Sequence, residues 1–135
     1  MGTMKGIVFA AVSMCLWVSS ALSEVIEYRC VTPIEGKDVV MHIVLDTDQR
    51  TVRQTFDLGR GSVVLDYLDK AVKQVVTQGP TALSVPIEHF VRFNSDIIYY
   101  GTILKQVEQG TTIDRRTGAM VLPIGGRGHC MPLPR

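Results

Sequence analysis

The chain has 135 residues, with 14 Lys and Arg against 13 Asp and Glu, so its formal net charge is +1. A nearly neutral chain creates no overall field that would attract phosphates or anionic lipid, which argues against nucleic acid and membrane surfaces as partners. The length suits a single domain with a modest core.

The first 23 residues have the three-part layout of a secretory signal peptide. Lys5 precedes a largely apolar run of 12 residues, 7–18, and small residues follow it up to Ser23. The run is too short to anchor the chain in a bilayer. We therefore predict cleavage between Ser23 and Glu24, which leaves residues 24–135 as one periplasmic or secreted domain without a membrane span. The alternative is a buried N-terminal helix.

Cleavage removes Cys15 and leaves Cys30 and Cys130 near the two ends of the remaining chain. In an oxidising compartment, two cysteines most simply form one disulfide. The alternative, a pair of redox-active thiols, lacks the Cys-x-x-Cys spacing. The predicted bridge brings the first and last strands together. We expect it to close the sheet at that point and so to remove both sheet edges.

Turn residues recur at short intervals, and the segments between them are rich in Val, Ile, Thr, Tyr and Phe, which is typical of short β-strands. Residues 25–32 form the predicted first strand, and a short segment around Cys130 forms the last one. Gly118 suits the end of a turn because glycine adopts positive φ without strain. Three hairpins are predicted in between, each as strand, turn and strand: 39–46, 47–50 and 51–56; 88–93, 94–96 and 97–102; 111–114, 115–118 and 119–122.

Residues 62–78 allow two interpretations. Their apolar residues fall at helical spacing between Ser62, which suits an N-cap, and Gly79. However, five of the residues are valine, which favours strands, and Asp69-Lys70 suits a turn. We predict two strands here, then a loop over 79–86. A glycine-rich connection over 124–128 precedes the last strand.

About eight to ten short antiparallel strands in a chain of this size predict an all-β fold, either a small barrel or a sandwich. The predicted disulfide favours the barrel. A barrel of roughly eight strands is either filled by its own side chains or holds one small ligand.

No catalytic residue, metal ligand or cofactor is predicted. The three histidines of the predicted domain, His42, His89 and His129, show neither His-x-His nor His-Glu-x-x-His spacing. The carboxylates are plentiful, but the sequence nominates no pair for acid–base chemistry. We therefore predict that the protein is not an enzyme.

Four residues are candidates for contact with a partner: Tyr99, Tyr100, Arg115 and Arg116. The two arginines lie on a predicted hairpin tip, and the alternation of a strand exposes one of the two tyrosines. Arg and Tyr are enriched at protein interfaces. Solvated charge and ordinary barrel aromatics are the alternative explanation.

Three segments resemble small exported bacterial β-proteins of unknown function: Tyr28-x-Cys30, the Asp-Arg-x-Thr-Gly turn within residues 113–118, and Gly128-His129-Cys130. The resemblance implies a fold and a compartment more than an activity. The chain is also loosely similar to the periplasmic inhibitors of C-type lysozyme, which are small disulfide-closed β-barrels with an early Tyr-x-Cys. Their inhibitory loop places a serine beside a glycine, and an alanine ahead of a tyrosine. No such segment occurs between Gly79 and Tyr100.

The sequence thus predicts a non-catalytic exported β module that acts by contact with another exported protein or with the envelope. Two alternatives stay open, a small-ligand carrier that uses the barrel mouth and a periplasmic enzyme inhibitor. A filled barrel favours surface recognition, whereas a hollow one favours the carrier.

Overall fold

The computed structural model describes residues 24–134, and the predicted signal peptide, residues 1–23, lies outside this range. The described residues form ten strands and contain no helix that is long and apolar enough to cross a membrane. The all-β prediction is confirmed. The strands are β1 (Val25–Ile34), β2 (Lys37–Asp46), β3 (Thr51–Asp57), β4 (Ser62–Leu68), β5 (Val72–Val76), β6 (Ser84–Phe93), β7 (Ile97–Leu104), β8 (Val107–Asp114), β9 (Ala119–Val121) and β10 (Arg127–Pro132).

All ten strands belong to one antiparallel sheet in the order β4-β3-β2-β1-β10-β9-β8-β7-β6-β5. Most strands pair with the strands that precede and follow them in the chain, and β1 also pairs with β10. The exception is the pair β4 and β5, which form the two edges of the sheet. The sheet curls into a half-barrel, so that the two edges meet at one end, where Asp69 and Lys70 connect them.

The three predicted hairpins are confirmed as β2–β3, β6–β7 and β8–β9. Residues 62–78 contain two strands, β4 and β5, as predicted, rather than a helix. Gly118 has a φ of +83° in the turn before β9, as its place in the turn required.

The disulfide between Cys30 and Cys130 is present. The two cysteines face each other in the register of β1 and β10, and both are buried in the core. Pairing of the first and last strands is therefore confirmed. It does not remove the sheet edges, however, because these lie at β4 and β5 and not at the ends of the chain.

The loop predicted over 79–86 is too long, since β6 begins at Ser84 and includes Pro86. Antiparallel strands direct alternate backbone groups to opposite sides. His89 donates to the Ala71 carbonyl near β5, so Pro86, three residues earlier, turns its nitrogen to the other side. The neighbour on that side, β7, pairs with β6 only from Glu88 onward. Proline is tolerated because no partner strand needs its missing N–H.

Side chains alternate between the concave inner face of the sheet and its outer face. At one end, here called the closed end, the inner positions are filled by a core. This end carries the β2–β3, β4–β5, β6–β7 and β8–β9 turns, and the opposite end, here called the open end, carries the turns in between. The core residues are Tyr28, Cys30, Met41, Ile43, Leu45, Val52, Val91, Ile98, Tyr100, Ile113, Met120 and Cys130.

The Arg50–Asp69 contact holds the two edge strands together at the closed end. Arg50, in the β2–β3 turn, donates from Nε to Asp69 Oδ2 at 3.2 Å and from Nη2 to the Val91 carbonyl at 2.9 Å. The Val91 N–H donates to Asp69 Oδ1 at 2.9 Å. These hydrogen bonds attach the β4–β5 turn to β6 and to the β2–β3 turn, at the closed end of the gap between the two sheet edges.

Candidate functional site

The inner face of the sheet remains uncovered at the open end. Apolar side chains at inward positions of β4, β5, β7 and β8 are exposed there to a degree unusual for strand residues. Five of them define what we call the open inner face, with exposed fractions in the described chain of 43% for Val63, 40% for Leu65, 44% for Val75, 40% for Leu104 and 59% for Val107. Exposed apolar side chains gathered on one concave face are typical of binding surfaces.

The two edge strands border this face. Neither β4 nor β5 has a second strand partner among residues 24–134, so each presents a row of backbone N–H and C=O groups. Proteins usually protect such edges with charges, proline or bulges. β5 carries one inward lysine, Lys73, whereas the run Val63-Val64-Leu65 in β4 carries neither charge nor proline. β4 is thus an apolar edge with little protection.

The outer side of β4 forms one wall of a groove of about 500 Å³, which reaches across to Ala71 and Lys73. Arg53 donates from Nε to Asp66 Oδ1 at 2.8 Å within this groove. That hydrogen bond lowers the pKa of Asp66 and raises the pKa of Arg53. Because acidic and basic side chains are mixed here, the groove selects neither anions nor cations by charge.

Four polar side chains, here called the inner polar cluster, lie on the inner face: Gln54, Tyr67, His89 and Tyr100. The Tyr100 hydroxyl donates to Gln54 Oε1. The Tyr67 ring lies 5.2 Å from the Tyr100 ring and 5.1 Å from the His89 ring, measured between centroids. Burial raises the pKa of both tyrosines, so their hydroxyls stay protonated.

His89 is the one side chain of the inner polar cluster whose type has an ordinary pKa near neutral pH. Burial, and then the positive charge of Lys73, lower its pKa. Its Nδ1 atom is buried and has no hydrogen-bond partner in the described part of the chain. The cluster is therefore uncharged near pH 7 and contains no nucleophile activated by a neighbouring base.

The structure separates the two tyrosines predicted for partner contact. Tyr100 points inward and is 1% exposed, so it belongs to the core and not to a surface. Tyr99 lies on the outer face of β7, half-buried, with its ring centroid 4.8 Å from that of Phe90. Arg92 lies above both rings and pairs with Glu108 at 2.6 Å. Tyr99 is thus engaged mainly by its own neighbours.

The two predicted arginines occupy the β8–β9 turn at the closed end. Arg115 donates from Nη1 to the Asn94 carbonyl at 2.6 Å, which ties its turn to the β6–β7 turn. The Nε atom of Arg116 is 3.9 Å from a carboxylate oxygen of both Asp96 and Asp114, and its side chain is largely exposed. These residues do not join Tyr99 in one site, and none of them lies at the open end.

The histidines do not converge. His42 lies on the outer face of β2, with Nε2 3.5 Å from Glu27, and His89 lies inside the sheet. Within residues 24–134, no three His, Cys, Asp or Glu side chains are gathered so that they could hold a metal ion.

The residues of the open end escaped sequence reasoning. An apolar strand such as β4 predicts burial, and nothing local in its sequence indicates that it is an edge. The only signal is indirect: β4 and β5 carry apolar residues on both faces, a pattern that a half-exposed strand does not need.

No protein-family model, no curated protein sequence and no solved structure matches the chain. The resemblance to exported bacterial β-proteins and to lysozyme inhibitors therefore stays a prediction.

Proposed function

We propose that this protein is a non-catalytic, exported β module that acts by contact with another exported or envelope protein at the open end of its sheet. The observation that supports the proposal most directly is the free edge of β4 and of β5 beside the open inner face, with an apolar run along β4. Exposed edges of this kind favour unwanted association, so a protein that retains them has a reason to do so.

The chemistry of this end favours a polypeptide over other partners. Each edge presents a row of backbone N–H and C=O groups, and along β4 these accompany the apolar run Val63-Val64-Leu65. A purely apolar ligand covers side chains but leaves the backbone groups to water, whereas another strand satisfies both. A formal net charge of only +1 fits recognition that rests on shape and apolar contact more than on electrostatic attraction.

The proposal of a non-catalytic role draws support from the inner polar cluster. Its tyrosines remain protonated, so neither supplies a phenolate nucleophile, and its four residues include no carboxylate that would orient the His89 ring as a general base. Of the predicted surface residues, Arg115 is tied to the β6–β7 turn, and Arg116 is largely exposed at the closed end.

Export is part of the proposal and has its own test. Because Trp17 lies in the predicted signal peptide, the processed chain has no tryptophan and should show tyrosine emission only. N-terminal sequencing of the protein purified from exporting cells should begin at Glu24. A product that starts at Met1 and emits in the tryptophan band would refute export, whereas a cut after Ala21 would leave it intact.

Site-specific photo-crosslinking tests the partner proposal. We replace Leu65, on the open inner face, by p-benzoylphenylalanine and irradiate cells that export the protein. Val121 is the matched control, since it is 42% exposed against 40% for Leu65 but lies on the outer face of β9, away from either edge. A protein adduct from position 65 and not from position 121 supports the proposal, and an adduct with an enzyme whose activity the purified protein lowers supports the inhibitor alternative. Equal adducts from both positions contradict it.

A small-ligand carrier is the second candidate, and the open inner face favours it, because five apolar side chains line one concave surface. Native mass spectrometry of the gently purified protein should then show a bound small molecule. Leu65→Arg, which places a charge in the mouth, should release it, while Val121→Arg should not. Lipid adducts at position 65 in the crosslinking experiment would favour this candidate over the first.

A further inference from the structure

We infer that the partner binds by strand addition, laying an extended segment antiparallel to the free edge of β4. The inference rests on the proposed function, because it specifies how a protein partner would engage the open end. Its physical basis is the direction of the backbone groups along β4, the absence of protecting residues in the middle of that strand, and its apolar character on both faces.

The hydrogen bonds at the two ends of the β3–β4 hairpin determine which backbone groups face the free edge. The Leu58 N–H donates to the Gly61 carbonyl at 3.1 Å, and the Asp69 N–H donates to the Arg50 carbonyl at 3.0 Å. Both bonds use odd-numbered residues of the second strand. Because antiparallel bonding alternates, the even-numbered residues of β4 direct their N–H and C=O groups away from β3. These residues are Ser62, Val64, Asp66 and Leu68.

One of these groups is already used within the chain, which supports the alternation. The Ala71 N–H donates to the Leu68 carbonyl at 3.0 Å, on the side of β4 away from β3. In the described range, Ser62, Val64 and Asp66 are left to face the gap between the edges, where no strand of residues 24–134 pairs with them. A segment of about five residues is long enough to bond with all three.

β4 is a better acceptor of a strand than β5. It has seven residues against five, and its central run Val63-Val64-Leu65 is uncharged. β5 carries Lys73 at an inward position, which is a common device against strand pairing. The exposed Asp66 of β4 is already compensated by Arg53 at 2.8 Å, so it does not repel an incoming segment.

The side chains of β4 define the chemistry of the segment. Val63 and Leu65 face inward and Val64 faces outward, all three exposed, so an added strand meets apolar neighbours on both of its faces. The complementary segment is therefore extended, rich in β-branched or aromatic residues on consecutive positions, and without charge over its central three residues.

A phage-displayed library of random 12-residue peptides, selected on the protein purified from exporting cells, provides the probe. We expect enriched peptides to share an uncharged stretch of β-branched and aromatic residues. Val64→Pro removes an N–H that faces the free edge and leaves the β3 ladder intact. We expect it to weaken binding of the selected peptide at least tenfold, as measured by fluorescence anisotropy.

Val64→Lys provides a second variant with an unaltered backbone, in case proline disturbs the fold. Its matched control is Val121→Lys, because Val121 is similarly exposed but lies on β9, which is paired on both sides. Loss of binding with Val64→Lys but not with Val121→Lys supports the inference. Equal affinity of the parent and both Val64 variants overturns it, and so does loss with Val72→Pro alone, which would assign the site to β5.

The result separates this inference from the proposed function. A protein adduct at position 65 together with no enriched peptide would retain the module and refute strand addition. If sedimentation shows a dimer of the parent that Val64→Pro dissociates, the edge pairs with a second copy of the chain, and the inference of a different partner is wrong.

Discussion

Phe90 is nearly fully buried although it lies on the outer face of the sheet, and two glycines make this possible. The register aligns Phe90 of β6 with Gly101 of β7 and Gly110 of β8. A Cβ atom at Gly110 would lie 2.8 Å from the Phe90 ring. Without side chains at the two glycines, the ring rests on the backbone of the neighbouring strands, and Tyr99 and Arg92 pack against it.

Gly101→Ala should therefore destabilise the fold. The new Cβ would collide with the Gln109 carbonyl and lie 2.6 Å from the Gly110 Cα, and neither backbone atom can rotate away. Overpacking of this kind costs about 1–3 kcal/mol, or a fall in Tm on the order of 4–8 °C for each kcal/mol in a small domain. Thermal unfolding measures the effect. Gly126→Ala is the control, since its nearest neighbour is a flexible Leu122 methyl group at 3.3 Å, and an equal loss in both variants would contradict the argument.

His89 predicts a pH dependence of stability. Burial, reinforced by Lys73, lowers its pKa in the folded state below the ordinary value of about 6.5. The unfolded state then binds more protons between that value and the lowered one, so the free energy of unfolding should fall as the pH is reduced through this window.

His89→Phe should remove this component, because a phenyl ring keeps the contact with Tyr67 but cannot be protonated. The variant should gain stability relative to the parent as the pH falls from 7.5 to 5, measured by urea unfolding. His42→Gln controls for the loss of one histidine on the exposed outer face. Parallel stability curves for His89→Phe and the parent would show that His89 does not govern the dependence.

At the level of elements, the three hairpins were predictable because one Asp or Asn side chain, at the end of the first strand or directly after it, stabilises each turn. The Oδ1 atoms of Asp46, Asn94 and Asp114 each accept two backbone N–H groups two and three residues further along. These hydrogen bonds join residues two or three positions apart, so the sequence alone indicates them.

The β4–β5 turn follows a different logic, and for this reason the sequence could not reveal the candidate site. The carboxylate of Asp69 does not stabilise its own turn but accepts from Val91 and Arg50, which are about twenty residues away in either direction. The strands β4 and β5 and the turn between them were predictable from the local pattern. Their separation to opposite edges of the sheet depends on contacts between distant segments. Sequence reasoning therefore chose Tyr99, Tyr100, Arg115 and Arg116 and missed β4.

The Arg50–Asp69 contact yields a prediction at this scale. Burial alone would raise the pKa of Asp69, but the hydrogen bonds from Val91 and Arg50 outweigh it and lower the pKa. The free energy of unfolding that the Asp69 carboxylate contributes is complete above its pKa in the unfolded chain, about 4. It is lost as the pH falls through the lowered pKa of the folded state. Asp69→Asn keeps one acceptor for Val91 and loses the charge, so it should cost on the order of 1 kcal/mol at pH 7 and flatten the acid limb of the stability curve.

Asp66→Asn is the matched control for Asp69→Asn. Asp66 also pairs with an arginine, Arg53, but both side chains are more than half exposed, so the pair should matter little for stability. Urea unfolding at pH 3 to 7 compares the two variants. A larger loss from Asp66→Asn would mean that the closed end is not held by the Arg50–Asp69 contact.

For the whole molecule, the position of the sheet edges decides the function that we propose. Pairing of the first and last strands leads one to expect a closed barrel, yet β1 and β10 lie at the centre of the strand order. The sheet is thus paired between the first and last strands, β1 and β10. It is open between β4 and β5, although these two strands follow each other in the chain. Ten short strands could pair either between β1 and β10 or between β4 and β5. The balance of long-range contacts at the closed end favours the first arrangement. That balance cannot be derived from strand propensities.

The disulfide supports this arrangement, because it bonds the two strands that the chain itself does not connect. Cys30 and Cys130 are separated by 100 residues, and both are buried in the core.

Removing such a bridge from a small secreted domain costs roughly 2–5 kcal/mol. Cys30→Ser should therefore lower the Tm on the order of 10 °C or more. Cys130→Ser and the double variant should behave alike, since the second thiol has no partner once the first is gone. Intact-mass measurement after alkylation, with and without reductant, is the direct check. If the native, unreduced protein incorporates two alkyl groups, β1 and β10 are held by backbone pairing alone, and the disulfide does not stabilise the centre of the sheet.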